Sequence, residues 1–217
     1  MAQQYPLFLD LTGRRILIVG AGPVGARKAR GLLDAGATDV SVVAPLIPAD
    51  FPELLNRIER LFQPADLAGI DLCFAATDSP GVNAEIVALC HQHHILVNRA
   101  DQDDDAPGDF TVPAVLRRGP LTIAVSASGS PGMAVAVREA IAANLDTAWS
   151  EIAEISLSMR RRLASGPPLE AARRKAILTT IFSADAMVAF KSAGTPALRA
   201  LLESRFPELK EVDQPHG

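Results

Sequence analysis

Apolar and polar positions in the first half of the chain alternate between two periods. Short apolar runs that fit buried strands are separated by longer segments whose apolar residues recur at helical spacing. The apolar runs that predict strands are 16–19, 40–44, 71–76 and 95–100, and the mixed segment 57–62 predicts a further strand between the second and fourth. The segments that predict helices are 24–35, closed by Gly36, and 80–94, which begins with Pro80. This alternation predicts a parallel sheet whose strands are joined by right-handed helical crossovers.

The pattern changes after residue 101. Residues 101–108 are acidic and rich in turn formers, which predicts an exposed loop. Two apolar runs, 110–115 and 121–126, predict a β-hairpin in which residues 117–120 separate the strands. The remaining segments, in chain order, are a loop of small residues at 126–132, a helix at 133–145, and helical periodicity from 146 onward with breaks at 166–168 and 194–196.

These patterns together predict an α/β protein with three parts. Residues 1–112 are expected to form a Rossmann-type nucleotide domain built on a parallel sheet. Residues 113–145 form a connecting hairpin and helix, and residues 146–217 form an all-helical C-terminal domain.

The first strand and helix enclose a glycine motif. Gly20, Gly22 and Gly25 follow the G-x-G-x-x-G spacing, with Pro23 and Val24 opening the helix. The first glycine allows a tight turn, the second lets a pyrophosphate approach the backbone, and the third lets the helix pack close to the strand. The helix N-terminus then offers N–H groups to the phosphates. The alternative is a tight turn in another kind of α/β protein, but the flanking strand and helix favour a dinucleotide site.

The end of the second strand departs from the usual dinucleotide pattern. Many such folds place an acidic residue there to bind the ribose hydroxyls. This chain has Ala44, Pro45 and Leu46 instead, and Asp39 lies at the opposite end of the strand. An arginine that could hold a 2′-phosphate is also missing, so the sequence does not support NADP. We expect backbone groups near Pro45 and Leu46 to hold the adenosine side.

Polar residues follow the later strands, where ligands of such sheets bind. Thr77 and Asp78 come directly after an apolar strand and are candidates for hydrogen bonds to the cofactor, as is Asn98. Asp101 ends the fifth strand, where a carboxylate can accept a proton from a substrate beside the nicotinamide. The alternative for Asp101 is an ordinary loop aspartate, because residues 103–105 are also aspartates.

Composition narrows the class of protein further. The 217 residues carry a net charge of −4, which argues against nucleic acid as a partner. A signal peptide is not recognisable and no apolar run approaches the roughly 20 residues of a membrane span, so we expect a cytoplasmic protein. Cys73 and Cys90 lie in apolar patterns and are predicted to be reduced core residues. The histidines at 91, 93 and 94 are predicted to cap a helix rather than bind a metal.

Several motifs occur in the order of one known family. They are the segments 5–11, 20–29, 42–45, 75–78 with Asn83, 98–101, 109–114, 121–126 and 130–131. Together they resemble precorrin-2 dehydrogenase, the dehydrogenase/ferrochelatase module of siroheme synthases. The likeness covers residues 5–145, whereas the helical tail is similar only in length and character.

The resemblance implies a function and a site. It implies NAD-dependent oxidation of precorrin-2 to sirohydrochlorin, with Asp101 as general acid/base, and a homodimer joined through the region after the nucleotide domain. The substrate would be a tetrapyrrole with eight carboxylates, which cationic groups and free N–H groups attract. The candidate contacts for these carboxylates are Arg117, Arg118, Ser126, Ser128 and Ser130.

Two departures from the family pattern leave alternatives open. The loop at 126–131 is one residue shorter than usual and has Ala127 where some members carry a phosphorylated hydroxyl. Residues 146–215 contain no histidine or cysteine to deliver a metal, so dehydrogenation alone is favoured over a second activity that inserts Fe²⁺ or Co²⁺. The rival from another class is an NAD-sensing regulatory protein without catalysis, which would not explain the motifs at 98–101 and 110–113.

Overall fold

A computed structural model describes residues 4–53, 56–101, 108–165 and 169–210 of the chain. The chain divides into two compact units, Met1–Val112 and Pro113–Gly217. Most of the predicted acidic loop, and the predicted break at 166–168, lie outside the described residues. The predicted division into three domains stays a prediction.

The first unit is built on a five-stranded parallel sheet. Its strands are β1 (Arg15–Val19), β2 (Asp39–Ala44), β3 (Asn56–Glu59), β4 (Leu72–Ala75) and β5 (Leu96–Arg99), and its helices are α1 (Pro23–Asp34) and α2 (Pro80–Gln92). The strand order is β3-β2-β1-β4-β5 and every pairing is parallel. The Rossmann-type prediction is therefore confirmed.

Both faces of the sheet are buried at β1, β2, β4 and β5, which explains the apolar runs of these strands, whereas the edge strand β3 is mostly exposed. Ile16 and Ile18 of β1 pack in one core with residues of α1, and Leu17 and Val19 pack in a second core with residues of α2. Gly36 ends α1 with a backbone φ of +82°. Its N–H donates to the carbonyl of Leu33 and the next N–H donates to that of Leu32, which is the Schellman pattern.

One predicted strand of the first unit extends too far. The sequence predicts a third strand over 57–62, but β3 ends at Glu59. Arg60 instead makes a two-point ion pair with Asp66, at 2.8 and 2.5 Å, which joins it to the 3₁₀ turn Pro64–Leu67. The N–H of Arg60 donates to the carbonyl of Ile58 at 3.1 Å, so the backbone turns tightly where β3 ends.

The second unit contains a hairpin and four helices. Its elements are β6 (Ala114–Arg118), β7 (Leu121–Val125), α3 (Pro131–Asn144), α4 (Ala148–Ser165), α5 (Ala171–Thr180) and α6 (Ala184–Arg205). The strands β6 and β7 are antiparallel, and α3 contacts both of them. Helices α4 to α6 surround a separate apolar core that includes Ile152, Ile177 and Leu198. The helical C-terminal region is confirmed.

The predicted position of the first hairpin strand is wrong. Arg117 and Arg118 lie on β6 itself, and only Gly119 and Pro120 form the turn. Phe110, predicted to begin this strand, packs edge-on against Phe74 of the first unit with ring centroids 5.6 Å apart. Burial of this aromatic ring in the core of the sheet ends the first unit before the strand starts.

Helix α6 is kinked where the sequence predicts a break. Ala193 and Gly194 have non-helical backbone angles, and Pro196 follows two residues after Gly194. Among the described residues no single helix is long and apolar enough to cross a membrane, and only the bent pair α5 and α6 meets the criteria of length and composition when taken together.

Candidate functional site

The glycine turn after β1 is held in place by steric necessity. Gly20 has a φ of +107°, and a Cβ placed there would overlap the backbone carbonyl of Ala76 at the end of β4. Its N–H donates to the carbonyl of Val43 in β2 at 2.9 Å. A Cβ on Gly25 would overlap the carbonyl of Gly20. These two glycines therefore bring the start of α1 against the ends of neighbouring strands.

Gly22 differs from the other two glycines of the motif because a side chain at this position would have open space around it. A Cβ there would meet no atom within 4 Å. Gly22 is the N-cap of α1, yet no side chain caps the helix, its first turn has no acidic residue, and Pro23 occupies the first position. The N–H groups that open a helix lack partners within it and carry a positive dipole end. An exposed, uncapped N-terminus without negative charge fits the pyrophosphate of a dinucleotide.

The end of β2 offers backbone and apolar surface. Ala44 is buried, whereas Pro45 and Leu46 are exposed. No side chain among Ala44, Pro45 and Leu46 carries a charge, as the sequence indicates. The expected contact of this segment with the adenosine side stays a prediction.

The turn between β4 and α2 is organised by Thr77 and Asn83. The Thr77 hydroxyl donates to Asn83 Oδ1 at 2.7 Å and accepts from the N–H of Ser79 at 3.2 Å. Asn83 is fully buried, and its Nδ2 donates to the carbonyl of Thr77 at 3.1 Å. The Thr77 hydroxyl thus shapes this turn, while the side chain of Asp78 beside it is exposed. Cofactor contact by either residue stays a prediction.

Asp101 lies two residues beyond the end of β5 and pairs with an arginine of that strand. Arg99 Nε donates to Oδ1 of Asp101 at 2.9 Å, and its NH2 group donates to Oδ2 at 3.0 Å. The arginine side chain is 1% exposed and the carboxylate side chain is 29% exposed. The same NH2 group donates to the carbonyl of Pro80 at 3.0 Å, which connects the pair to the first turn of α2.

This pairing sets the protonation state of Asp101. The Arg99 guanidinium is the main cause that holds the pKa of this carboxyl below its usual value, and partial burial opposes it. Hydrogen bonds from its own backbone and from the Asn83 side chain also lower the pKa. Asp101 is therefore ionised at neutral pH, as a proton acceptor must be.

Asn98 lies on the other face of β5. It is buried, and its Nδ2 donates to the carbonyl of Phe110 at 2.7 Å. Its Oδ1 is buried and accepts no hydrogen bond from the described residues. An unsatisfied buried acceptor is costly, and the expected contact of Asn98 with the cofactor stays a prediction.

The remaining candidates lie in the second unit. Arg117 is exposed on β6, whereas Arg118 donates to the carbonyl of Ala142 in α3 at 3.3 Å. Ser126, Ser128 and Ser130 are exposed around the start of α3. Ser130 is the N-cap of that helix and its side chain makes no capping hydrogen bond. The structure thus brings Asp101 and the glycine turn into one unit and these substrate candidates into the other.

Two residues of this site were not singled out as functional from the sequence. Arg99 joins Asp101 to α2, and Asn83 holds the β4–α2 turn and contributes to the lowered pKa of Asp101. A signal existed for Arg99, because an arginine inside an apolar strand must be paired when it is buried. Asn83 was named with the family motif at 75–78, but nothing in the sequence indicated that its side chain would be buried against Thr77.

The cysteines and histidines lie outside this constellation. Cys73 and Cys90 are free and buried, as predicted. His91 is in the last turn of α2, with its Nε2 3.0 Å from Oδ1 of Asp109. In the part of the chain that the structure describes, no group of three or more His, Cys, Asp or Glu side chains could hold a metal ion.

Comparison with known proteins places the chain in a family. Residues 7–114 match a family model described as "Putative NAD(P)-binding". The chain is similar to "Siroheme synthase" of Photobacterium profundum, with 38% identity over 176 residues, which is 78% of this chain and 37% of that protein. It is also similar to "Siroheme synthase" of Methylococcus capsulatus, with 35% identity over 205 residues, covering 92% of this chain and 43% of that protein.

A solved structure shares the fold. The structure named "SirC, precorrin-2 dehydrogenase" superposes with a TM-score of 0.71 and 24% identity, covering 93% of this chain and 98% of that one. The chain spans about two fifths of the length of the curated relatives it matches. The resemblance inferred from the motifs is confirmed. The chain belongs to the precorrin-2 dehydrogenase/ferrochelatase family, the module found in siroheme synthases, and residues 7–114 match the NAD(P)-binding family model.

Proposed function

We propose that this protein uses NAD⁺ to oxidise precorrin-2 to sirohydrochlorin, with Asp101 as the general acid/base. The observation that carries the proposal is the ionised carboxylate at the end of β5, in the same unit as a glycine turn that fits a pyrophosphate. The siroheme synthase relatives support the choice of a tetrapyrrole as the substrate.

The chemistry requires a hydride acceptor and a proton acceptor. Bound NAD⁺ would supply the hydride acceptor. The first turn of α1 would hold its pyrophosphate, with Gly22 allowing the close approach. Asp101 accepts the proton that leaves the macrocycle. Because the pKa of Asp101 is lowered and its carboxylate is partly exposed, the proton passes readily to water and the base is regenerated.

The substrate carboxylates need positive or N–H-rich surfaces. We assign this role to Arg117, to the exposed serines 126, 128 and 130, and to the start of α3. Ser130 leaves this helix without a side-chain cap, so the N–H groups of its first turn are open to a carboxylate. Arg118 contributes charge while its side chain contacts α3.

The proposed active form is a homodimer joined through the hairpin and α3. Among the described residues of α3, only Ala134 is buried, and Met133, Val135 and Val137 are exposed. The two-stranded sheet of β6 and β7 also leaves its outer edges unpaired within the described chain. Apolar faces and open edges of this kind are typical of surfaces that associate.

One assay tests the enzyme. Purified protein is mixed anaerobically with precorrin-2, with and without NAD⁺, and the visible spectrum is recorded. We expect sirohydrochlorin to form only with NAD⁺, and NADH to appear in step. Asp101→Asn should lower the rate at least about 100-fold while binding NAD⁺ normally, because general acid/base catalysis contributes about 10²–10⁴-fold. Asp50→Asn, at an exposed loop position, is the matched control and should be fully active.

The same preparation separates the alternatives. NAD⁺ binding without any spectral change, given competent precorrin-2, would contradict the enzyme and favour a sensor of NAD. Sirohydrochlorin with Fe²⁺ or Co²⁺ but without NAD⁺ tests chelation, and we expect no metal insertion. Full turnover of Asp101→Asn would remove Asp101 from its proposed role while leaving the oxidation itself standing.

A further inference from the structure

We propose that Arg99 is the positioning residue of Asp101, and that its buried guanidinium orients the carboxylate at the end of β5 for proton transfer. This inference rests on the proposed function, because it assumes that Asp101 is the base. Arg99 itself is placed to contact Asp101 and α2, so its action on the substrate is indirect.

Arg99 and Asp101 form a bidentate ion pair, which we call the clamp. Two parallel N–H donors of Arg99 reach the two oxygens of Asp101, at 2.9 and 3.0 Å. This two-point arrangement fixes the plane of the carboxylate as well as its distance, which a single hydrogen bond or a lysine cannot do. Arg99 is the last residue of β5, and the bend at residues 100 and 101 brings the Asp101 carboxylate back to its guanidinium.

The clamp is anchored on a second element. The guanidinium also donates to the carbonyl of Pro80, in the first turn of α2. The Nδ2 of Asn83, one turn further along α2, donates to the Thr77 carbonyl, and the Asn83 side chain also contributes to the lowered pKa of Asp101. Asp101 is therefore tied to α2 through Arg99, while Asn83 holds the turn that follows β4. A carboxylate beyond a strand end would otherwise sample several rotamers.

Burial makes the arginine rigid. Its side chain is 1% exposed, and a buried guanidinium is tolerated only where its donors are satisfied. The donors that face Asp101 and Pro80 meet this demand, and further contacts of Arg99 exist. A purely structural tether between β5 and α2 would use the same contacts, so the test must measure a property of Asp101 itself.

Charge and geometry are separated by two variants. Among the described residues, the groups that face Asp101 are the charged Arg99 and the neutral Asn83. Arg99→Gln removes the charge, so the pKa of Asp101 should move up toward its ordinary value. Arg99→Lys keeps the charge but loses the two-point geometry, so the pKa should stay low while the rate still falls. Arg57→Gln is the matched control, because Arg57 is an arginine of β3 that donates to the carbonyls of Phe51 and Pro48.

The experiment combines two measurements on the full chain. Carboxyl NMR titration of the protein without cofactor reports the pKa of Asp101, assigned by comparison with Asp101→Asn. Steady-state oxidation of precorrin-2 reports kcat, KM for NAD⁺ and the pH profile. We expect both Arg99 variants to lose up to about 100-fold in kcat with little change in KM, since misplacing a reacting group can cost that much. In Arg99→Gln the acidic limb of the kcat profile should move to higher pH by the same amount as the Asp101 pKa measured by NMR. Arg57→Gln should change neither the profile nor the pKa.

Two results would overturn the inference. One is a folded Arg99→Gln whose Asp101 titration and kcat match those of the unchanged protein. The other is a folded Arg99→Lys with full kcat, which decides the question even if Arg99→Gln does not fold. A failure of the proposed function would be seen separately. If Asp101→Asn were fully active, Asp101 would not be the base. The NMR titration measures the effect of Arg99 on Asp101 without any catalysis.

Discussion

At the scale of single residues, the effect of burying a charged side chain depends on whether an opposite charge faces it. The permanent charge of buried Arg99 is paired with the carboxylate of Asp101. Lys28 of α1 lies with its Nζ 6.0 Å from the ring centroid of Phe74, and burial lowers its pKa to about 8, with nearby Arg27 adding a smaller effect in the same direction. A lysine with a lowered pKa destabilises the fold wherever it must be protonated.

Lys28→Met should therefore stabilise the protein at neutral pH. The expected gain is about 1–2 kcal/mol in the free energy of unfolding, because the apolar stem is kept and the desolvated charge is removed. Between a pKa of about 8 when folded and the ordinary value of 10.5, the unfolded chain holds more protons. The stability of the unchanged protein should then rise with pH across this range and approach that of the variant. Urea unfolding at pH 7 and pH 10 measures both, and a constant difference would contradict the assignment.

At the scale of elements, the three glycines of the first turn serve two different purposes. Gly20 and Gly25 are required by the fold, because a Cβ on either would overlap a backbone carbonyl. Gly22 is surrounded by open space, so the fold does not require it. The same motif thus combines helix–strand packing with an approach route for a phosphate.

This distinction predicts opposite outcomes for two matched substitutions. Gly25→Ala should destabilise the protein by about 1–3 kcal/mol, because the backbone it meets cannot move away easily. Gly22→Ala should leave the unfolding free energy nearly unchanged and weaken NAD⁺ binding. Chemical unfolding and NAD⁺ titration calorimetry measure the two effects. Unchanged NAD⁺ affinity in Gly22→Ala would mean that the pyrophosphate lies elsewhere.

The sequence predicted the elements better than the contacts between them. The strands, helices and glycine turn of the first unit were predictable because side-chain period and steric demand are local. The start of β6 was not, because the burial of Phe110 against Phe74 depends on residues far along the chain. Asp101 was predicted as a strand-end carboxylate, whereas its pairing with Arg99, which also donates to the Pro80 carbonyl, depends on how α2 packs beside β5.

At the scale of the whole molecule, α3 leaves apolar surface exposed, because the described residues bury little of this helix. Val135 is exposed on this helix, within the surface to which we assign the homodimer. Val135→Glu should shift the protein from dimer toward monomer, because a charge placed in an apolar interface must be desolvated. Sedimentation velocity over a range of concentrations measures the shift.

A matched substitution controls for a general effect of added charge. Val188 of α6 is more exposed than Val135, so Val188→Glu should leave the sedimentation unchanged. A monomer in the unchanged protein at all concentrations would refute the proposed dimer, and a dimer that survives Val135→Glu would place its interface on another surface.

The sequence by itself determined the class of the protein: a Rossmann-type sheet, a glycine turn for a dinucleotide, a carboxylate at the end of the fifth strand and the family to which the motifs belong. These properties depend on residue types at short, fixed spacings. Only the tertiary structure decided that Arg99 is buried against Asp101, that α2 anchors the pair, and that Gly22 alone of the three glycines faces open space. Such properties depend on which distant segments exclude water from one another, and packing rather than local pattern sets them.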